Sequence, residues 1–184
     1  MDESKNTHNR EVTMVQVQVL GLAMDVTQDP TSPVIMLKEV NGTSVLPIWV
    51  GPAEATAIAV QLESKEMSRP LTHDLLKTVI EGMGGEVVKV IVTDLQEDTF
   101  YARIFIKHQN ELFSIDARPS DSVALALRTD SPIYVHKDVS MDLDISQFQK
   151  MEIEDDKEES GASDIQEYLS NLEPEDFGKI DPDD

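Results

Sequence analysis

Residues 15–19 read Val-Gln-Val-Gln-Val, a strict alternation that predicts a strand with one wet face, extending to about residue 25. Two apolar runs, "SPVIMLKEV" and "TSVLPIWV", flank Asn41-Gly42. Asn-Gly between such runs predicts a hairpin whose central residues both take positive φ. Pro47 cannot donate to a ladder, which places the second of these strands at an edge or a bulge. The pattern then changes. "GPAEATAIAVQLES" is Ala-rich with Pro52 near its start, and Ala55, Ile58, Ala59 and Leu62 fall on one helical face. "THDLLKTVIEGMGG" predicts a second helix, capped by Thr72, favoured by Asp74 at its positive end and stopped by Gly84-Gly85. Residues 86–118 return to period two as three strands, with turns at Glu97-Asp98 and Gln109-Asn110. Phe100, Ala102, Ile104 and Ile106 alternate there with Tyr101, Arg103, Phe105 and Lys107. "PSDSVALALRT" predicts a third helix, capped by Ser120, and "PIYVHKDV" a last short strand. Three strands, two helices, three strands, a helix and a strand make an α+β fold: a mixed, largely antiparallel sheet with about three helices packed on it, followed by an acidic tail.

That tail begins where periodicity ends. "EIEDDKEESGASD" is a run of like charge without core-forming residues, and reads as disordered. Ile165, Tyr168, Leu169 and Leu172 then regain helical spacing, marking a short helix over 163–172 that needs a partner or the body to fold against. The chain of 184 residues therefore divides into a flexible arm (1–12), one domain (13–140) and an acidic, largely disordered tail (141–184). Its formal charge is −21; residues 140–184 hold 16 acidic and 3 basic side chains, and the rest 20 and 12. A phosphate-binding site in so acidic a chain must be a local cluster of arginines. The absence of cysteine excludes disulfides and thiolate metal sites. With no apolar leader and no run long enough to span a bilayer, a cytoplasmic protein without membrane contact is expected.

Two stretches concentrate reactive groups at predicted helix starts. "RPLTHDL" holds Arg69, Thr72, His73 and Asp74; "DARPSD" holds Asp116, Arg118, Ser120 and Asp121. Each is readable as capping and local pairing alone. That is the simpler reading of each taken alone; each also reads as an anion site, because free N–H groups at a helix start favour negative charge and arginine grips phosphate in two places. His73 then supplies a proton carrier, and Asp116 with Asp121, across a strand-to-helix turn, a pair of carboxylates for a hard divalent cation. Both stretches set Arg-Pro ahead of a hydroxyl and an acidic residue, so they make one site if both face one groove. Glu54, at the front of the first helix, reads more simply as a dipole partner.

"LPIWVGPAEATAIA", "RPLTHDLL", "DTFYARIFI" and "IDARPSDSVALALRTDSPIYV" resemble the bifunctional nuclease domain family of bacteria and plants, over about residues 13–139. The resemblance implies a small α+β domain, a homodimer, and hydrolysis of phosphodiester bonds in RNA and single-stranded DNA. Carried over by motif, the candidate positions are Arg69, Thr72, His73, Asp74, Asp116, Arg118, Ser120, Asp121 and Arg128; from their chemistry we read His73, Asp74, Asp116 and Asp121 as catalytic groups and Arg69, Thr72, Arg118, Ser120 and Arg128 as phosphate-binding groups. A magnesium ion (Mg2+) on Asp116 and Asp121, or no metal with these residues orienting water, are the two forms the chemistry takes. The alternative is a non-catalytic dimeric interaction module whose acidic tail binds a basic protein partner or occupies the body's own groove.

Overall fold

A computed structural model of the chain describes residues 13–25 and 32–139. The N-terminal arm, the acidic tail and its 163–172 segment lie outside these residues. The order of elements is the expected one: β1 (Met14–Asp25), β2 (Ser32–Glu39), β3 (Val45–Trp49), α1 (Pro52–Leu62), α2 (Thr72–Gly82), β4 (Gly85–Gln96), β5 (Thr99–His108), β6 (Glu111–Ala117), α3 (Pro119–Thr129) and β7 (Ile133–His136).

The strands form one seven-stranded sheet in the order β3-β2-β1-β7-β4-β5-β6. Every neighbouring pair is antiparallel except β4 with β7. β7 is the last of the described strands, yet it fills the middle and joins the two hairpin systems. The three helices cover one face. Ile58 of α1, Val123 and Leu125 of α3, Leu37 of β2, Val92 of β4, Ile104 of β5 and Val135 of β7 belong to a single buried cluster, against which Ile80 of α2 also packs. A smaller cluster of Val34, Met36 and Val45 lies on the opposite face.

Local chemistry explains most of the connections. Glu97 and Asp98 both take positive φ (48° and 63°), the twist-matched geometry of a two-residue hairpin, and Gln109 does so in the next turn (56°). Gly84, at φ 78°, turns the chain out of α2. Pro47 sits on edge strand β3, where a missing ladder donor is tolerated. The Asn41-Gly42 expectation is corrected in its detail. The hairpin is present, but five residues (40–44) join its strands and neither Asn41 nor Gly42 has positive φ. Its loop is closed instead by Glu39 N–H donating to the Ser44 carbonyl at 2.9 Å. Leu62, expected on the buried stripe of α1, is exposed, while Ala57 and Val60 are buried. A helix seated between a sheet and a neighbouring helix buries more than one stripe.

Candidate active site

α2 and α3 both begin at an Arg-Pro step or just after one, but they begin differently. Pro70 holds the preceding backbone extended, and Leu71 becomes the N-cap of α2 (φ −78°, ψ 173°). Leu71 has no side chain able to accept a hydrogen bond. Asp74 reaches back instead, its Oδ2 accepting from the Leu71 N–H at 2.8 Å. In α3, Arg118 is itself the N-cap and Pro119 the first helical residue. The Ser122 N–H and Oγ both donate to the Arg118 carbonyl at 3.0 Å. The capping expected of Thr72 and Ser120 is thereby corrected. Each lies inside its helix, and neither side chain makes a hydrogen bond among the described residues.

The two helix starts meet. His73, buried on the inner side of α2, places Nε2 3.1 Å from Oδ1 of Asp121 in the first turn of α3. Arg118 closes on the same carboxylate through Nε (2.7 Å) and Nη2 (3.1 Å). Nη2 also lies 2.6 Å from Oε1 of Glu54 in the first turn of α1. Four side chains from three helices thus form one chain of contacts, His73–Asp121–Arg118–Glu54. Burial works to raise the Asp121 carboxyl, but the hydrogen bonds from Arg118 and His73 outweigh it and hold the group below its ordinary range. Its hydrogen bond to Asp121 in turn raises Arg118. The guanidinium remains well exposed, with 66% of its side-chain surface open.

A second connection lies further along the same helix pair. Oδ1 of Asp74 accepts from Nε of Arg128, whose side chain is only 2% exposed. Arg128 Nη1 donates to the Ala124 carbonyl at 2.9 Å; Nη2 is buried with no partner among the described residues. Lys77 Nζ donates to the Arg128 carbonyl at 2.7 Å, answering the negative end of α3. Burial pushes Asp74 upward. The Leu71 N–H and Arg128 overcome that and leave the carboxyl below its ordinary range.

Of the nine residues picked out by motif, His73, Arg118 and Asp121 share one cluster, and Asp74 and Arg128 share the adjoining pair. Arg69 is exposed and makes no ion pair among the described residues. It lines a cleft of about 280 Å³ with Lys65, Ser68 and Asp74. Asp116 stands apart. Its cross-strand partner is Arg103, and the next residue, Ala117, packs toward the helix-side core; alternation therefore points Asp116 to the opposite face of the sheet. The expected convergence of Asp116 and Asp121 is not formed. Glu54 was placed by sequence as a dipole partner, and its ion pair with Arg118 had no local signal: it spans 64 positions and depends on how α1 meets α3.

The donor set also bears on magnesium. Asp121 and Glu54 direct oxygens at Arg118, Asp116 is on the other face, and no group of three or more histidines and carboxylates among the described residues could hold a metal ion. The residues do not fit a divalent cation in this arrangement.

A family model described as the bifunctional nuclease domain matches residues 35–147, a span that contains both helix starts, Glu54 and Arg128. The chain belongs to the bifunctional nuclease domain family. Among this domain's relatives, an uncharacterised protein of Mycobacterium tuberculosis is 39% identical over 172 residues, 89% of this chain and 98% of that protein. Bifunctional nuclease 1 of Arabidopsis thaliana is 32% identical over 109 residues, covering 57% of this chain and 34% of the plant protein. A rice protein of the same name, from Oryza sativa subsp. japonica, is 30% identical over 110 residues, or 58% and 33% of the two chains. The plant nucleases thus carry long regions that this bifunctional nuclease domain does not match. Among the described residues, no helix is long and apolar enough to cross a membrane.

Proposed function

We propose that the protein is a cytoplasmic nuclease that hydrolyses phosphodiester bonds in RNA and single-stranded DNA at the His73–Asp121–Arg118 cluster. One observation carries this reading: a histidine and an aspartate from two helix starts lie 3.1 Å apart beside an exposed arginine. Asp121 fixes the imidazole through Nε2, and Nδ1 has no hydrogen bond among the described residues, leaving it to take a proton from an attacking water. Asp121 then stabilises the imidazolium. Arg118 offers a cation to the phosphoryl oxygens, and Arg69, in the adjacent cleft, holds a neighbouring phosphate of the strand. Asp74 and Arg128 position α2 on α3, since their polar groups face each other. Family membership and the plant nucleases support the reaction class.

The test is cleavage of RNA and single-stranded DNA by the full chain, with and without a chelator, beside His73→Ala and Asp121→Asn. Loss of about 100-fold or more in both variants is expected for a proton carrier and its partner. Cleavage that survives both substitutions overturns the site. One observation favours a second reading: Arg118 is paired on both flanks, by Glu54 and Asp121. A purely structural Arg118 would make the body a docking module whose acidic tail engages a basic protein. Failure of the full chain to bind oligonucleotides at low salt would select that alternative.

A further inference from the structure

β5 presents two unlike faces. Phe100, Ile104 and Ile106 point to the helix layer and pack into its core. Tyr101, Arg103, Phe105 and Lys107 alternate with them and point to the other side of the sheet, where no described helix lies. Along that outer face aromatic and cationic side chains take turns. Tyr101 is 41% exposed, and Arg103 and Lys107 are exposed as well. Successive members stand about 7 Å apart, close to the repeat of an extended single strand of nucleic acid.

The cations of this face are not compensated. On the helix side Lys77, Arg118 and Arg128 each pair with a carboxylate. Arg103, Lys107 and Lys89, which lies across from Phe105 on β4, form no ion pair among the described residues. Arg103 is fixed by neutral partners. Its Nε donates to Ser114 Oγ at 2.7 Å and its Nη2 to the Ser114 carbonyl at 3.3 Å, which lays the guanidinium across β5 and β6 without cancelling its charge. Lys89 Nζ lies 5.1 Å from the centre of the Phe105 ring, so that ring is covered by a cation. Tyr101 is left as the open ring. Asp94, Glu86 and Asp116 face Tyr101, Lys107 and Arg103 across the ladders and weaken the local field. Phosphate contacts alone therefore hold a strand poorly here, and a stacked base must contribute.

The strand register ties this face to the helix-start cluster. Ala102 pairs with Ala117, the residue before Arg118, so Tyr101 is level with Arg118 at the end of β6. From Tyr101 to Lys107 the strand runs about 20 Å, room for a few unstacked nucleotides. We infer that Tyr101, Arg103 and Lys107 form a track for single-stranded nucleic acid that leads away from Arg118, with one base stacked on Tyr101 and phosphates on Arg103 and Lys107. A duplex offers this face phosphates but no free base, so the track selects single strands. The inference rests on the nuclease reading for its ligand, and binding is measured apart from cleavage so that the two fail separately.

Fluorescence anisotropy of a labelled oligothymidylate with the full chain, read before cleavage, tests it. Tyr101→Ala is expected to weaken binding about tenfold, and Tyr101→Phe, which keeps the ring, to stay within about twofold. Arg103→Ala/Lys107→Ala should lower the slope of log affinity against log salt by about one. Each variant should keep the circular dichroism spectrum of the unaltered chain. The same strand annealed to its complement should bind more weakly and ignore Tyr101→Ala. Single-strand binding that Tyr101→Ala and the double variant leave unchanged overturns the track, as does an equal loss on the duplex. Cleavage lost in His73→Ala, with binding indifferent to Tyr101→Ala, keeps the nuclease and removes the track. Binding that requires Tyr101, in a chain that cleaves neither RNA nor single-stranded DNA, keeps the track and removes the nuclease.

Discussion

Arg69-Pro70 and Arg118-Pro119 look like two copies of one device, and the fold uses them in opposite ways. Arg118 is the N-cap of α3, and its guanidinium is held by Asp121 on one side and Glu54 on the other. Arg69 sits two residues ahead of the α2 cap, exposed, over the cleft it shares with Lys65. The difference is one of offset. In α3 the arginine occupies the cap itself, so its side chain lies over its own first turn and meets Asp121 three residues on. In α2 the cap falls to Leu71, the carboxylate three residues beyond it is Asp74, and Asp74 is spent on the Leu71 N–H and on Arg128. An identical dipeptide therefore becomes a bridge in one place and, among the described residues, a cation without an ion pair in the other. For a polyanionic substrate that second cation is the easier one to recruit.

The sharpest way to break this comparison is to free Arg69's neighbour. Asp74→Ala leaves Arg128 buried with neither a carboxylate nor a partner for Nη2, and removes the cap on Leu71. A loss of about 3 kcal/mol is expected in urea unfolding, the cost of stranding one member of a buried pair. Asp74→Leu with Arg128→Met should cost less than Asp74→Ala alone, because both charges leave together. The same groups set the acid limb. Asp74 and Asp121 both have carboxyls held below their ordinary range, so their stabilisation is fully present above about pH 4, where unfolded aspartate ionises. It is lost as pH falls through the lower folded values. Stability measured from pH 6 down to pH 2 should therefore fall less steeply in Asp121→Asn than in the unaltered chain.

A middle-sized effect separates the two arginines directly. Arg118→Ala removes an exposed but doubly paired cation and should cost about 1 kcal/mol. Arg69→Ala should leave stability within about 0.5 kcal/mol, yet weaken oligonucleotide binding and lower its salt slope by about one. The comparison is wrong if Arg69→Ala unfolds the protein, or if oligonucleotide binding ignores the substitution.

How much of this was readable beforehand depends on range. The order of all ten elements follows from periodicity and turn chemistry, because Glu97-Asp98, Gln109-Asn110 and Gly84 act on their immediate neighbours. Two helix starts with arginine, histidine and acid were equally visible. Their meeting was not, because the His73–Asp121 contact spans 48 positions and depends on α2 crossing α3. Asp116 shows the converse error. Five residues from Asp121 in sequence, it lies on the other face because a strand turns successive side chains to opposite sides.

The smallest effect is the most exacting, because it concerns a cap that sequence assigns with confidence and the structure moves. "L-T-H-D" reads as Thr72 capping and Asp74 following. If that were so, Thr72→Ala would cost about 1 kcal/mol through a lost side-chain bond to the helix amides. Here Thr72 is the first helical residue and its exposed side chain accepts nothing, while Asp74 reaches back to the residue before it. Thr72→Ala should then change unfolding free energy by no more than about 0.3 kcal/mol, alanine being the better helix former. A full capping loss on Thr72→Ala would restore Thr72 as the cap and release Asp74 from the Leu71 amide. α2 would then start one residue later still, with Arg69 three residues ahead of its cap where Arg118 is the cap of α3, and the offset between the two arginines would widen.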